Sequence, residues 1–116
     1  MECTEWTVEE VARAYRESTP VLRAALDYLA ERPEREVSSL ELARAVYPRD
    51  NDGGAQQRLY GVLGAFGRRS YGYGKKRWFF TAHRKRRPDG SLALGYFGYV
   101  MPAEKAAWVR KASGRE

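Results

Sequence analysis

Two alternating stretches on either side of a Pro-Asp-Gly turn constrain this chain more than any other feature. The stretches are "KKRWFFTAHRKR" and "SLALGYFGYVM", and they flank "RPDG". Pro88 suits the second position of a type I turn, and Gly90 suits the left-handed position that follows. A loop of Pro88, Asp89 and Gly90 pairs Arg87 with Ser91 and sets the register. The sequence therefore predicts an antiparallel β-hairpin in this region.

The same register places three aromatic side chains on the hairpin face that points away from the core: Phe79, Phe97 and Tyr99. An exposed aromatic cluster of this kind needs a cover. Either Trp108 of a last helix or a second subunit would provide it, and we expect the cover to come from the chain itself.

Capping residues mark the helices that precede the hairpin. Thr7 with Glu10 forms a capping box, and Thr19 before Pro20 starts a second helix. After a very short strand at Val37, "SSLELARAVYP" supplies a serine cap for a third helix, which a proline ends. Beyond the hairpin, "MPAEKAAWVRKA" predicts a last helix that begins near its proline.

The segment "GGAQQRLYGVLGAFGRR" predicts a helix over residues 55–69 despite its interior glycines. At about 100° per residue, the apolar side chains fall on one core-facing arc: Leu59, Val62, Leu63 and Phe66. The opposite side holds Gln57, Gly61, Gly64 and Arg68. Glycine costs about 0.5–1 kcal/mol relative to alanine inside a helix, so these glycines need a reason. They indicate either a groove that faces a ligand or close packing of another element, and the apolar arc opposite favours the groove.

The order of these elements resembles a winged helix-turn-helix domain. The likeness is carried by "SSLELARAVYP" as the first helix of the motif, the glycine helix as the recognition helix, and "RWFFTAHRKRRPDGSLALGYFGYV" as the wing. The resemblance implies an α+β fold in one domain over residues 1–116: a helical extension at 1–18, a winged core at 19–101, and a C-terminal helix and tail at 102–116. It also implies that the recognition helix enters a DNA major groove. One departure is the turn "RDNDGG", which is longer and more acidic than the usual turn of the motif.

Charge is divided unevenly along the chain. Residues 1–52 carry 12 acidic and 7 basic side chains, whereas residues 53–103 carry 10 Lys and Arg against Asp89 alone. Solvated faces normally mix both signs, so this second stretch indicates a face that binds a polyanion. The hairpin cations would also protect an exposed strand edge from pairing with another chain.

We predict a double-stranded DNA interface on the outer face of the glycine helix, the loop after it and the hairpin. Its residues are Gln57, Arg58, Tyr60, Gly61, Gly64, Arg68, Arg69, Tyr71, Tyr73, Lys75, Lys76, Arg77, His83, Arg84, Lys85, Arg86 and Arg87. Gln57 and Arg68 are candidate contacts to base edges or phosphates, and the row of cations would neutralise phosphates. Tyr71 and Tyr73 either reach phosphates and bases or pack under the wing. We expect His83 to be solvated or to face a phosphate.

Such an interface fits a transcription regulator or a reader of DNA state, and a homodimer that matches two half-sites is the expected assembly. A groove with room for a methyl group allows a second interpretation, a reader of 5-methylcytosine. Two alternatives stay open. One is an RNA-binding module that stacks unpaired bases on the aromatic wing, and the other is a protein-interaction winged helix.

The sequence does not indicate an enzyme, a metal site or a cofactor. Cys3 and His83 are the only cysteine and histidine, so one chain cannot assemble a zinc site or a Cys-His nucleophile. No apolar run approaches the roughly 20 residues of a membrane span, and the acidic N-terminus lacks the order of a secretory signal. We therefore expect a cytoplasmic, nucleoid-associated protein without membrane contact.

Overall fold

The structure is a computed structural model that describes residues 6–72, 78–86, 89 and 92–114, with the backbone alone at 71–72, 84–86 and 92–96. These residues form five helices and a three-stranded antiparallel sheet: α1 Val8–Arg16, α2 Pro20–Ala30, β1 Val37–Ser38, α3 Ser39–Val46, α4 Asp52–Gly72, β2 Thr81–Arg86, β3 Leu92–Val100 and α5 Ala103–Ala112. The predicted α+β class is confirmed.

Side-chain caps start the first three helices as predicted. The Thr7 hydroxyl accepts the Glu10 N–H at 3.2 Å, and the Glu10 carboxylate accepts the Thr7 N–H at 2.9 Å. Thr19 caps α2 by accepting the Leu22 N–H at 3.3 Å, and Ser38 caps α3 by accepting the Glu41 N–H at 3.0 Å. Each cap satisfies a backbone donor that has no partner within its helix, which fixes the start of the element.

Helix α4 begins earlier than the sequence predicts. The stretch 49–54 was expected to be a turn, but the helix starts at Asp52 and ends at Gly72. The Asn51 side chain accepts the Gly54 N–H at 2.7 Å, and the Asn51 carbonyl accepts the Ala55 N–H at 2.8 Å. With this cap the two glycines become part of the first helical turn, and the link between α3 and α4 shortens to residues 47–51.

Strand β3 lies in the middle of the sheet, between β1 and β2. Near the hairpin tip Arg86 pairs with Leu92, which is the predicted register. The next pair is Arg84 with Phe97, so one residue of β2 and four residues of β3 lie between the two pairs. Beyond this irregularity the pairing is displaced by three residues, and the predicted register is wrong there. The tip turn at Pro88 and Gly90, by contrast, lies outside the described residues.

The displacement explains why the predicted outer aromatic cluster lies in the core instead. An odd displacement exchanges the faces of one strand relative to the other. Tyr99 is 2% exposed, Phe79 is fully buried just before β2, and Phe97 is half-buried against the same core. The prediction that these three rings share the face away from the core is therefore wrong. Burial of large aromatic side chains stabilises the fold more than a few interrupted backbone hydrogen bonds between the strands destabilise it. A β-bulge commonly changes the direction in which the side chains of a strand point.

Within the core, the N-terminal segment and α4 pack against these rings, so the outer face expected to need a cover does not form. The Trp6 ring lies 5.1 Å from the Phe79 ring in an edge-to-face arrangement. The Tyr60 ring of α4 lies 5.7 Å from the Phe97 ring, also edge-to-face. Trp108, which the sequence suggested as the cover, is half-buried in α5. Such ring pairs add specific geometry to the burial of apolar area.

Helix α5 returns the chain to α1 and α2. The Arg110 guanidinium donates to the Ala30 carbonyl at 2.7 Å, at the C-terminal end of α2. At the other end of α5, the Glu34 carboxylate accepts the Ala103 N–H at 2.8 Å. Glu34 has a left-handed backbone with φ 64°, and its own N–H donates to the Met101 carbonyl at 2.8 Å. These bonds satisfy a backbone donor at the start of α5 and a carbonyl at the end of α2, and they hold α5 against the N-terminal half.

Candidate nucleic-acid interface

The outer face of α4 is open, as the helical spacing predicts. Leu59, Leu63 and Phe66 are buried on the core side, whereas Gln57 and Gly61 are exposed on the other side. A Cβ added to Gly61 would meet no atom of the described residues within 4 Å. The Gly61 backbone therefore fronts open space, where another molecule can approach the helix closely.

Arg68 lies along the same outer face, one turn beyond the glycines. Its side chain is exposed, and Nη1 lies 3.8 Å from the position a Gly64 Cβ would take. That distance is an ordinary van der Waals contact, so Gly64 is not needed to relieve a clash. The guanidinium presents five donors in a fixed fork at the end of an open strip of backbone.

The third interior glycine of α4 has a different role. A Cβ at Gly67 would lie 3.1 Å from Nε1 of Trp78, closer than neighbouring side chains normally approach. The Trp78 ring stacks on Phe80 at 4.9 Å, and Phe80 is 2% exposed. Gly67 is therefore a spacer for the chain that enters β2, whereas Gly61 and Gly64 are open. Close packing therefore accounts for Gly67, whereas a groove that faces a ligand stays a prediction for Gly61 and Gly64.

Two acidic residues near the start of α4, Asp50 and Asp52, are matched by arginines. Asp52 accepts two hydrogen bonds from Arg44 of α3, at 2.8 and 3.0 Å. These hydrogen bonds from Arg44 lower the pKa of Asp52. Asp50 lies 3.4 Å from Nε of Arg58, whose side chain is 65% exposed. The acidic turn is thus compensated locally, and Arg58 remains at the surface at the start of the outer face.

Two predicted interface residues of α4 have their polar groups engaged within the fold. Arg69 donates from Nη1 to the Glu17 carbonyl at 3.1 Å and from Nη2 to Ser18 Oγ at 3.4 Å. The Tyr60 hydroxyl lies 3.1 Å from Ser39 Oγ. Arg68 and Arg69 therefore differ although they are adjacent, because about 100° of helical rotation separates their directions.

His83 lies on β2 beside a carboxylate. Its Nε2 is 2.8 Å from Oε1 of Glu36, which precedes β1 on the far side of the sheet. The Glu36 side chain crosses the middle strand at Gly98, where a Cβ would lie 2.7 Å from the Glu36 carboxyl carbon. The absence of a side chain at Gly98 makes room for this contact. The His83 side chain is still 51% exposed.

The hairpin cations can be placed by backbone position only. Arg84, Lys85 and Arg86 are the last three residues of β2, and Tyr71 lies in the last turn of α4. The remaining predicted interface residues lie outside the described residues: Tyr73, Lys75, Lys76, Arg77 and Arg87.

One residue that bears on the site has no signal in the sequence. Ser39 is fully buried where α3 begins, and its hydroxyl contacts α4 and β3. Its partners are 17 to 58 residues away along the chain, so neither periodicity nor a local motif reveals it.

The chain matches no family model, and neither a curated protein nor a solved structure matches it. The functional argument therefore depends on the residues of this chain alone. Across the described part of the chain, no helix is long and apolar enough to cross a membrane.

Proposed function

We propose that this chain is a winged helix-turn-helix protein that binds double-stranded DNA, with α4 as the recognition helix and the β2–β3 hairpin as the wing. The element order supports the proposal. Helices α3 and α4 are joined by residues 47–51, and the β2–β3 hairpin is the next element after α4. In domains of this type the second helix of the motif lies in the major groove, and the wing contacts the backbone beside it.

The observation that carries the proposal is the exposed outer face of α4 in the basic half of the chain. Arg58 and Arg68 are exposed on α4, and three consecutive cations end β2. Residues 53–103 hold 10 basic residues and a single acidic one. Cations that neutralise phosphates release condensed counterions, which supplies affinity for any duplex. Beyond its first turn, which holds Asp52, the α4 face carries cations and no acidic residue, which suits this task.

Base contacts would come from the two ends of the open strip on α4. Gln57 can bond adenine through both of its amide atoms, and Arg68 can donate both hydrogens of its fork to guanine. Between them Gly61 has no side chain, so the helix can approach base edges closely. This arrangement suits a transcription regulator or a reader of DNA state. A homodimer would place two such helices on successive half-sites.

A nucleic-acid panel tests the proposal. Fluorescence anisotropy at fixed salt would compare duplex DNA, single-stranded DNA and an RNA hairpin for the wild type and for Gly61→Leu. Leucine fills the open strip and is a good helix former, so this variant should stay folded and lose duplex binding. Ala24→Leu is the matched control, because Ala24 is exposed on α2 away from the proposed interface.

We expect the wild type and Ala24→Leu to bind duplex DNA equally and Gly61→Leu to bind at least about tenfold more weakly. A higher affinity for the RNA hairpin than for duplex DNA would indicate that the ligand is RNA. Equal duplex binding by Gly61→Leu would remove the outer face of α4 from the interface.

A further inference from the structure

Ser39 lies where the proposed recognition helix and the proposed wing meet. It is the first residue of α3 and is fully buried. Its hydroxyl donates to Gln56 Oε1 at 3.1 Å and accepts from the Phe97 N–H of β3 at 3.2 Å and from the Tyr60 hydroxyl at 3.1 Å. A serine hydroxyl has one donor and two acceptor sites, so Ser39 is fully bonded.

The bond to Phe97 extends the sheet where the backbone of β1 can no longer do so. Val37 pairs with Tyr99 and Ser38 with Gly98, and then the chain turns into α3. The next position along β3 is Phe97, and its N–H finds a side-chain hydroxyl instead of a backbone carbonyl. The Ser39 hydroxyl thus continues the β1–β3 pairing by one residue. It supplies the acceptor that the Phe97 N–H needs, because a backbone donor shielded from water is costly when it has no partner.

This junction lies at the last regular pair before the hairpin becomes irregular. Phe97 pairs with Arg84, and the displacement in register follows on the tip side of that pair. The Phe97 side chain also joins β3 to α4, because its ring contacts the Tyr60 ring edge-to-face at 5.7 Å. Ser39 and Tyr60 therefore fix the base of the hairpin against the inner face of α4. The direction of the basic strand end beyond Arg84 depends on that base.

We infer that Ser39, with Tyr60, positions the wing relative to the recognition helix so that both contact the same duplex. The inference depends on the proposed function, because positioning matters only if both elements bind DNA. Ser39 is a positioning residue and contacts no DNA itself. Loss of its hydroxyl leaves the Phe97 N–H without its partner and frees the hairpin to take other directions. The Gln56 amide oxygen keeps one donor, the Tyr60 hydroxyl at 3.2 Å.

The test compares Ser39→Ala with Ser38→Ala. Ser38 is the neighbouring serine and caps α3 through the Glu41 N–H, so its loss also destabilises the fold but leaves the α4–β3 junction intact. Duplex affinity would be measured by anisotropy between about 50 and 200 mM salt, at a temperature where both variants are folded by circular dichroism.

For Ser39→Ala we expect at least about tenfold weaker duplex binding and a slope of log affinity against log salt that is shallower by about 2–3, because Arg84, Lys85 and Arg86 no longer neutralise phosphates. Ser38→Ala should keep the wild-type slope and affinity. A residue that only stabilises the fold would lower Tm without changing the slope.

Tyr60→Phe provides an independent measurement that keeps the ring against Phe97 and removes only the hydroxyl. It should shift the slope in the same direction by a smaller amount, and it decides the question if Ser39→Ala does not fold. If folded Ser39→Ala and Tyr60→Phe both have the salt slope of the wild type, the inference is overturned and the proposed function stays in place. A wild type that does not bind duplex DNA would overturn both.

Discussion

Alanine substitutions at two glycines of the same helix should have opposite effects on stability. At Gly61 an added methyl meets open space, so Gly61→Ala should gain the helix propensity of alanine, about 0.5–1 kcal/mol. At Gly67 the same methyl lies 3.1 Å from Nε1 of Trp78. The indole is stacked on buried Phe80, so it has little freedom to yield.

Overpacking of this kind costs about 1–3 kcal/mol. Because both positions gain the same helix propensity, the difference between the two variants isolates the packing cost. At about 4 °C per kcal/mol for a domain of this size, Gly61→Ala should melt roughly 4–12 °C above Gly67→Ala. The former should lie above the wild type by about 2–4 °C.

Thermal unfolding followed by far-ultraviolet circular dichroism measures both shifts. Gly64→Ala is a useful third variant, because its nearest neighbour is the flexible end of Arg68 at 3.8 Å, and it should behave like Gly61→Ala. Equal melting temperatures for the Gly61 and Gly67 variants would show that Trp78 moves freely. A Gly61→Ala protein less stable than wild type would show that the outer face of α4 is packed, and the interface would then be elsewhere.

Three further predictions separate structural from DNA-binding roles. Arg69→Ala should lower the free energy of unfolding by about 0.5–1.5 kcal/mol and leave the duplex affinity of the folded protein unchanged. Arg68→Ala should weaken duplex binding and leave the free energy of unfolding unchanged. Thermal melting and anisotropy, measured on both variants, distinguish these outcomes. The hydrogen bond from Tyr28, and then that from Arg35, lowers the pKa of Glu41. Ionised Glu41 therefore stabilises the fold above the ordinary carboxyl pKa, and this stability is lost as the pH falls through the lowered pKa. In Tyr28→Phe, Tm measured by circular dichroism should fall less on acidification than in the wild type. If the open strip on α4 admits a methyl group, duplexes that carry 5-methylcytosine should bind several-fold more tightly than matched unmethylated duplexes, since a buried methyl is worth about 0.8 kcal/mol; equal affinities across a panel of methylated sites would exclude this specificity.

Local chemistry made much of the fold predictable. The caps at Thr7 and Thr19 and the apolar arc of α4 depend on residues within one or two helical turns, and each lies where the sequence indicated. Exposure of Gly61 followed from the same periodicity. The sequence predicts too late a start for α4, because Asn51 caps the helix from within a segment whose composition is typical of a turn.

The features that the sequence did not reveal are long-range. The displaced register of β2 and β3 depends on which rings reach the core, and Phe79 meets Trp6 from the other end of the chain. Arg69 resembles Arg68 in every local respect, yet its partner Glu17 is 52 residues away. Periodicity assigns a residue to a face but does not identify a partner so distant in sequence.

The salt dependence of duplex binding tests the central claim most directly. Affinity for a duplex would be measured by anisotropy from about 50 to 200 mM salt for the wild type and for a variant with alanine at Arg84, Lys85, Arg86 and Arg87. If α4 and the wing bind DNA together, the wild-type affinity falls steeply with salt, and the variant binds more weakly to all sequences with a slope shallower by about 3–4. A wild type without duplex affinity, or a variant whose slope equals that of the wild type, would contradict the account.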